Sequence, residues 1–221
     1  MGEKRLSSGE RTALGIELAD QLRAVVADLS ERNISDEDLA EATELARALR
    51  ERLDGPRRAR WYEGDAANLA PADRVAYFDQ SPIRGRLNPI APPMKIDVVE
   101  DADGSRRVVG NARLGTAYEG PPRGVHGGWV AAMLDELLGA AQGLVEKQGV
   151  TATLRIRYRA ITPIDEDLRF EARVTEDRGR ILRIKGTCTA GDTLTADAEG
   201  LFMRVDFNEI RERMTERDRG A

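Results

Sequence analysis

From Trp129 to Val145 the chain is apolar or small on every side, and between His126 and Glu146 its only charges are the adjacent Asp135 and Glu136. A stretch of this kind predicts a helix buried all round, not one lying on a surface with a single apolar stripe. The residues before it, Tyr118-Glu-Gly-Pro-Pro-Arg-Gly-Val-His-Gly-Gly, form a turn: Pro121, Pro122 and Gly124 break regular structure, and Gly127-Gly128 lets the backbone approach a ligand where the helix starts. An unpaired buried carboxylate is costly, so each acid needs either an arginine or a function. Adjacent helical residues project about 100° apart, so Asp135 and Glu136 cannot enter one site. Glu136 is assigned to packing or a salt bridge and Asp135 to chemistry.

His126-Gly-Gly ahead of the helix offers the free N–H groups of Gly127 and Gly128 and the positive end of the helix dipole, an arrangement suited to a developing oxyanion. Nine residues after His126, Asp135 supplies a general base or nucleophile. The span 118–139, with Gly-Pro-Pro, His-Gly-Gly and Asp in this order and spacing, resembles the hotdog-fold acyl-CoA thioesterases, in particular the phenylacetate-pathway-like group and its mitochondrial long-chain relatives. Some phenylacetate-type enzymes carry Asn six residues before the histidine, where this chain has Gly120, a departure shared with the long-chain relatives.

Eight helical residues span roughly 12 Å, whereas an oxyanion donor must sit about 3 Å from its oxygen. Gly127 and Asp135 of one chain therefore cannot serve one thioester carbonyl. The site is expected to be composite, Gly127 of one subunit facing Asp135 of another across a two-fold axis, and the resemblance implies the same: a homodimer at least, or a tetramer.

The order of the remaining patterns fits an α+β hotdog fold, an antiparallel sheet wrapped around a long buried central helix with an N-terminal helical hairpin extension. In residues 9–30 Leu14, Leu18, Leu22, Val25 and Leu29 recur at helical spacing. Ser35 and Asp38 cap a second helix whose stripe runs Leu39, Ala42, Leu45, Ala46, Leu49 and Leu53 to Gly55-Pro56. The hairpin, residues 1–55, is expected to pack on itself, on the domain or on a second subunit. Residues 56–93 read as a linker, 94–207 as the hotdog domain and 208–221 as a charged tail. Within the domain, strands are expected over 94–99 and 107–116, then the helix, then strands beginning with the alternation Leu154, Ile156, Tyr158 against Arg155, Arg157, Arg159, and continuing over 168–175, 181–189 and 194–205.

The resemblance also places a Ser or Thr at the start of the third strand, beside the acid. Thr151 occupies that place, and Thr153 is the second choice, because the same alternation gives it the same face. By similarity to the long-chain relatives, Arg157, Arg159, Arg180 and Lys185 would meet the nucleotide of coenzyme A. Residues 155–185 hold nine Arg or Lys against six Asp or Glu, local positive charge within a chain of net charge −5. His126 either orients the thioester or steadies the turn.

Several classes are excluded. A pI near 5.2 argues against nucleic-acid binding. A single histidine leaves no multi-histidine metal site and no second histidine for a hydratase pair, and no cofactor is called for. One cysteine, Cys188, fits a reducing cytoplasm. The amino terminus has no apolar signal core, Leu6 breaks the myristoylation pattern, and Asp135-Glu136 splits the longest apolar run, so no membrane span is expected. The expected activity is acyl-CoA thioester hydrolysis on a fatty or aromatic acyl group; a non-catalytic acyl-CoA-binding scaffold is the alternative.

Overall fold

The computed structural model describes residues 6–56, 78–145 and 149–204. Two helices come first, α1 (Ser8–Glu31) and α2 (Asp36–Arg52). Ser7 begins α1 with a capping box: its side chain accepts from the Glu10 N–H while Glu10 reaches back to the Ser7 N–H. Ser35 caps α2 from the Asp38 N–H, as the Ser35/Asp38 pair predicts. The helices part company in their packing. α1 lies on the domain, where the Arg23 guanidinium donates to the carbonyls of Asn88 at 2.8 Å and Arg86 at 3.2 Å, and Glu31 accepts from the Thr116 hydroxyl. Gly15 makes this approach possible, since a Cβ there would stand 2.8 Å from Leu87. α2 has no buried residue. Residues 57–77, most of the expected linker, and the expected tail lie outside the described residues.

The domain is one antiparallel six-stranded sheet: β1 (Lys95–Glu100), β2 (Arg106–Arg113), β3 (Gly149–Tyr158), β4 (Asp167–Arg178), β5 (Ile181–Ala190) and β6 (Thr193–Arg204), in spatial order β1-β2-β4-β5-β6-β3. The central helix α3 (Gly127–Ala141) continues as a 3-10 turn, Gln142–Leu144, slightly short of the predicted single helix. Asp101–Gly104 turns the first hairpin with Gly104 at φ 80°.

The core lies between α3 and the sheet. Val130, Met133, Leu134, Leu137, Leu138 and Ala141 of α3 are buried against Val108 of β2, Leu168 and Phe170 of β4, Leu182 and Ile184 of β5 and Phe202 of β6. Close approach is set by Gly186 and Gly200, where a Cβ would come within about 3 Å of Leu138. The expectation of a helix buried all round is corrected here: Trp129, Ala131, Ala132, Asp135, Glu136, Gly139 and Ala140 are only partly covered. One chain has a single sheet to lay over the helix, and the far side of α3 stays half open. Beside that open side runs β3, the last strand of the sheet, whose outer backbone edge pairs with no other described strand. Among the described residues no helix is long and apolar enough to cross a membrane.

Candidate active site

The loop leading into α3 is held by backbone bonds on both flanks. The Val125 N–H donates to Thr162 O at 2.7 Å, the His126 N–H to Tyr118 O at 2.8 Å and the Ile164 N–H to Arg123 O at 3.1 Å. Gly120 lies so close to His126 that a Cβ would meet its Cα at 2.7 Å, leaving no room at this position for the Asn found in some relatives of the resemblance. Arg123 sits at φ 59°, a left-handed residue inside the turn, its N–H held by the Glu119 carboxylate at 2.6 Å.

His126 is the N-cap of α3. Its Nδ1 accepts from the Gly128 N–H at 3.0 Å, so the side chain steadies the turn and occupies one of the two glycine donors. This corrects the expectation that both glycines present free N–H groups. The Gly127 N–H is different: among the described residues it finds no acceptor. The Gly127 carbonyl accepts from the Tyr158 hydroxyl at 2.8 Å. The sequence pattern marks Tyr158 only as a strand residue on the face of Leu154 and Ile156; its position at the last residue of β3, level with the start of α3, follows from the register and not from local pattern.

Beside Gly127 and Gly128 opens a groove of about 470 Å³. Pro121, Val125, Val130 and Ile161 give it apolar walls, Tyr158 lines it, and Arg159 stands at its border. Asp135 does not line it. Both Gly127 and Asp135 lie on α3, eight residues and hence roughly 12 Å apart along its axis.

Asp135 faces the β3 side of the helix, and its Oδ1 accepts from the Thr151 hydroxyl at 3.2 Å. It is only partly buried, not the enclosed carboxylate the sequence implied. Glu136, the neighbouring acid, points elsewhere: its carboxylate meets Arg84 Nε at 2.8 Å and accepts from the Ser81 hydroxyl at 3.4 Å, while the Arg84 guanidinium lies 3.7 Å over the Phe78 ring. Burial pushes the Glu136 carboxyl above the usual carboxylate range, Arg84 and Ser81 pull it back, and Asp135 adds a further upward push.

Thr153 does not share the face of Thr151. Thr151 pairs with Phe202 and Thr153 with Leu201, neighbouring residues of β6, because a bulge at Ala152 shifts the register. Thr151 therefore turns toward α3, while Thr153 joins Arg155 and Arg157 on the outer face. Nor does one chain gather the expected basic set. Arg157 and Arg159 both reach Asp197, the former at 3.8 Å, and Lys185 reaches Glu199 at 3.7 Å. Arg180 lies in the β4–β5 turn beside Arg204, seven β6 residues and about 23 Å from Asp197.

An N-capped turn with one unengaged donor, an apolar groove beside it and a carboxylate-hydroxyl pair farther along the same helix are the parts expected of a thioester-cleaving site. Residues 124–198 match the family model described as the Thioesterase superfamily. This segment is a thioesterase-superfamily domain. It contains the whole of α3 and β3 and every expected site residue. A thioesterase superfamily protein of known crystal structure is 28% identical, with a TM-score of 0.73 over 86% of this chain and 90% of its own. Residues 94–221 alone, a little over half the chain, cannot supply that cover, so the likeness takes in N-terminal residues as well. The human protein acyl-coenzyme A thioesterase THEM5 is 28% identical over 97 residues, a match spanning 43% of this chain and 39% of the human protein. The mouse thioesterase superfamily member 2 structure is 18% identical, with a TM-score of 0.43 over 49% of this chain and 81% of its own.

Proposed function

We propose that this chain is an acyl-CoA thioesterase, hydrolysing a fatty or aromatic acyl-CoA to the free acid and CoA. The observation that carries the reading is the Thr151–Asp135 hydrogen bond on the half-open side of α3. Among the described residues this carboxylate is partnered by a hydroxyl and not by a cation, and it stands beside a strand edge that no other described strand pairs, where a second subunit can bring substrate to it. Asp135 acts as general base on a water beside Thr151, or attacks the carbonyl itself. Attack converts the carbonyl oxygen to an oxyanion, and collapse expels CoA as the thiolate; with Asp135 as base the proton taken from water passes to the thiolate, and with Asp135 as nucleophile a water then hydrolyses the acyl–Asp135 anhydride to the free acid.

The donor to that oxyanion is the Gly127 N–H of the neighbouring subunit. The 12 Å between the groups in one chain excludes a shared carbonyl, whereas pairing of the β3 edges about a two-fold axis sets the start of one α3 toward the middle of the other. The same operation moves Arg180 of one subunit toward Arg157 and Arg159 of the other, so the basic residues divided within a chain converge on one nucleotide across the interface. The apolar groove suits a hydrocarbon chain.

Thiol release from acyl-CoAs of graded chain length and from phenylacetyl-CoA tests the reading. Hydrolysis by the native chain and its loss in Asp135→Asn, with acyl-CoA binding retained, are expected. An Asp135→Asn chain within threefold of native activity overturns the assignment.

A further inference from the structure

α2 is a 17-residue helix with no buried residue. Most of a helix's stability in a protein comes from covering an apolar face, not from propensity. Its apolar residues Leu39, Ala42, Ala46 and Leu49 follow a 3-4-3 spacing that Leu53 extends by four, the seam of a two-stranded coiled coil. Leu45 borders the seam, and Leu39, Leu45 and Leu53 are 46%, 65% and 58% exposed.

The charges select what can cover it. Asp36, Glu37 and Asp38 fill the first turn, Arg50 and Arg52 the last. α1 is a poor match, because its last turn, next to the acidic start of α2 across the connection, carries no basic residue. A parallel second α2 would set acid against acid and base against base. An antiparallel one sets each acidic end on a basic end. With Leu39 opposite Leu49 of the second copy and Ala42 opposite Ala46, the flanking positions bring Asp36 to Arg50 and Asp38 to Arg52 of that copy, and Leu45 meets its own equivalent across the two-fold axis. The small Ala42–Ala46 layers let the helices come close. We propose that α2 is a self-association surface, which pairs antiparallel with α2 of a second copy of this chain.

Leu45→Cys in the full chain tests this, since it places one thiol on the proposed axis without touching the domain; Cys188 is buried and stays silent. Under mild oxidation most of the Leu45→Cys chain is expected as a disulfide-linked dimer, while Ala46→Cys, which would meet its equivalent only in a parallel pair, stays unlinked. Reversing the acids (Asp36→Arg with Asp38→Arg), or the bases (Arg50→Asp with Arg52→Asp), in the Leu45→Cys chain should slow linking about tenfold, because four exposed ion pairs become four repulsions. Mixing the two reversed chains should restore it. Leu45→Cys that stays unlinked, linking indifferent to charge reversal, or linking through Ala46→Cys instead would each overturn the proposal, whether or not the chain hydrolyses thioesters.

Discussion

The Tyr158 hydroxyl donates to the Gly127 carbonyl oxygen at 2.8 Å, joining the end of β3 to the residue whose own N–H is unengaged. The bond fixes the plane of the Gly127–Gly128 peptide and so steadies the turn on which the preceding peptide carries the Gly127 N–H. A neutral hydrogen bond is worth about 0.5–1.5 kcal/mol, so Tyr158→Phe should lower kcat about three- to tenfold with KM nearly unchanged. Steady-state kinetics on one acyl-CoA check it; a change confined to KM would place the tyrosine in substrate binding.

Thr151 makes the described hydrogen bond to Asp135. A hydrogen bond to a charged group is worth about 1.5–3 kcal/mol, so Thr151→Val should cost tenfold or more in kcat, and Thr151→Ser should recover most of it. Thr153→Val, on the outer face beyond the bulge, should leave kcat within about twofold, the usual range for surface changes. Equal losses at 151 and 153 would contradict the register.

Arg157 and Arg180 lie far apart in one chain yet are assigned to one nucleotide. Arg157→Ala and Arg180→Ala should each raise KM for acyl-CoA, and raise it much less for the acyl-pantetheine, which lacks the nucleotide phosphates. Comparison of the two substrates decides the matter, because loss of fold or of the reacting geometry would affect both alike.

Glu136 gives a pH dependence of known sign. Its folded carboxyl is raised by burial and held down in part by Arg84, whose side chain is 13% exposed. Removal of that cation in Arg84→Met leaves the folded carboxyl higher still. An acid raised in the folded state binds more protons folded than unfolded, so stability falls as pH rises from the unfolded value near 4.5 through the folded one. Urea unfolding should show Arg84→Met less stable than native by about 1–3 kcal/mol at pH 7.5, the cost of an uncompensated, partly buried charge, with the deficit shrinking toward pH 5. A deficit constant across that range would mean that lost stacking on Phe78, and not the carboxylate, is responsible.

The sheet and its helix were legible because they rest on period. Alternation located β3, uniform apolarity located α3, and Asp101–Gly104, Asp177–Gly179 and Gly191-Asp192 marked the turns. What escaped depends on register or on distant chain. The bulge at Ala152 leaves no trace in composition, so alternation carried Thr153 to the wrong face. Arg84 is 52 residues from Glu136, and no spacing rule connects them. The His126 bond to the Gly128 N–H is the exception, a local N-cap two residues long that the His-Gly-Gly sequence itself could have suggested.

The proposed sharing of one site by two chains makes the strongest prediction. Asp135→Asn removes the acid, and Gly127→Pro removes the proposed donor. Gly127 is the first residue of α3, the position where proline is best tolerated, and among the described residues its N–H has no acceptor to lose. His126 before it has ψ 130°, within the range that a residue ahead of proline adopts. The added Cβ would lie 3.3 Å from the Tyr158 ring, a tight contact that a half-exposed side chain can relieve. Gly127→Pro should therefore fold and be inactive. In a mixed dimer of the two inactive chains, one site collects both defects and the other has both groups intact. Statistical exchange makes half the dimers mixed, each with one good site of two, so activity should return to about one quarter of native per chain. Doubly tagged mixed dimers, shown by circular dichroism to be folded yet no more active than either parent, would place the donor and the acid outside a shared site.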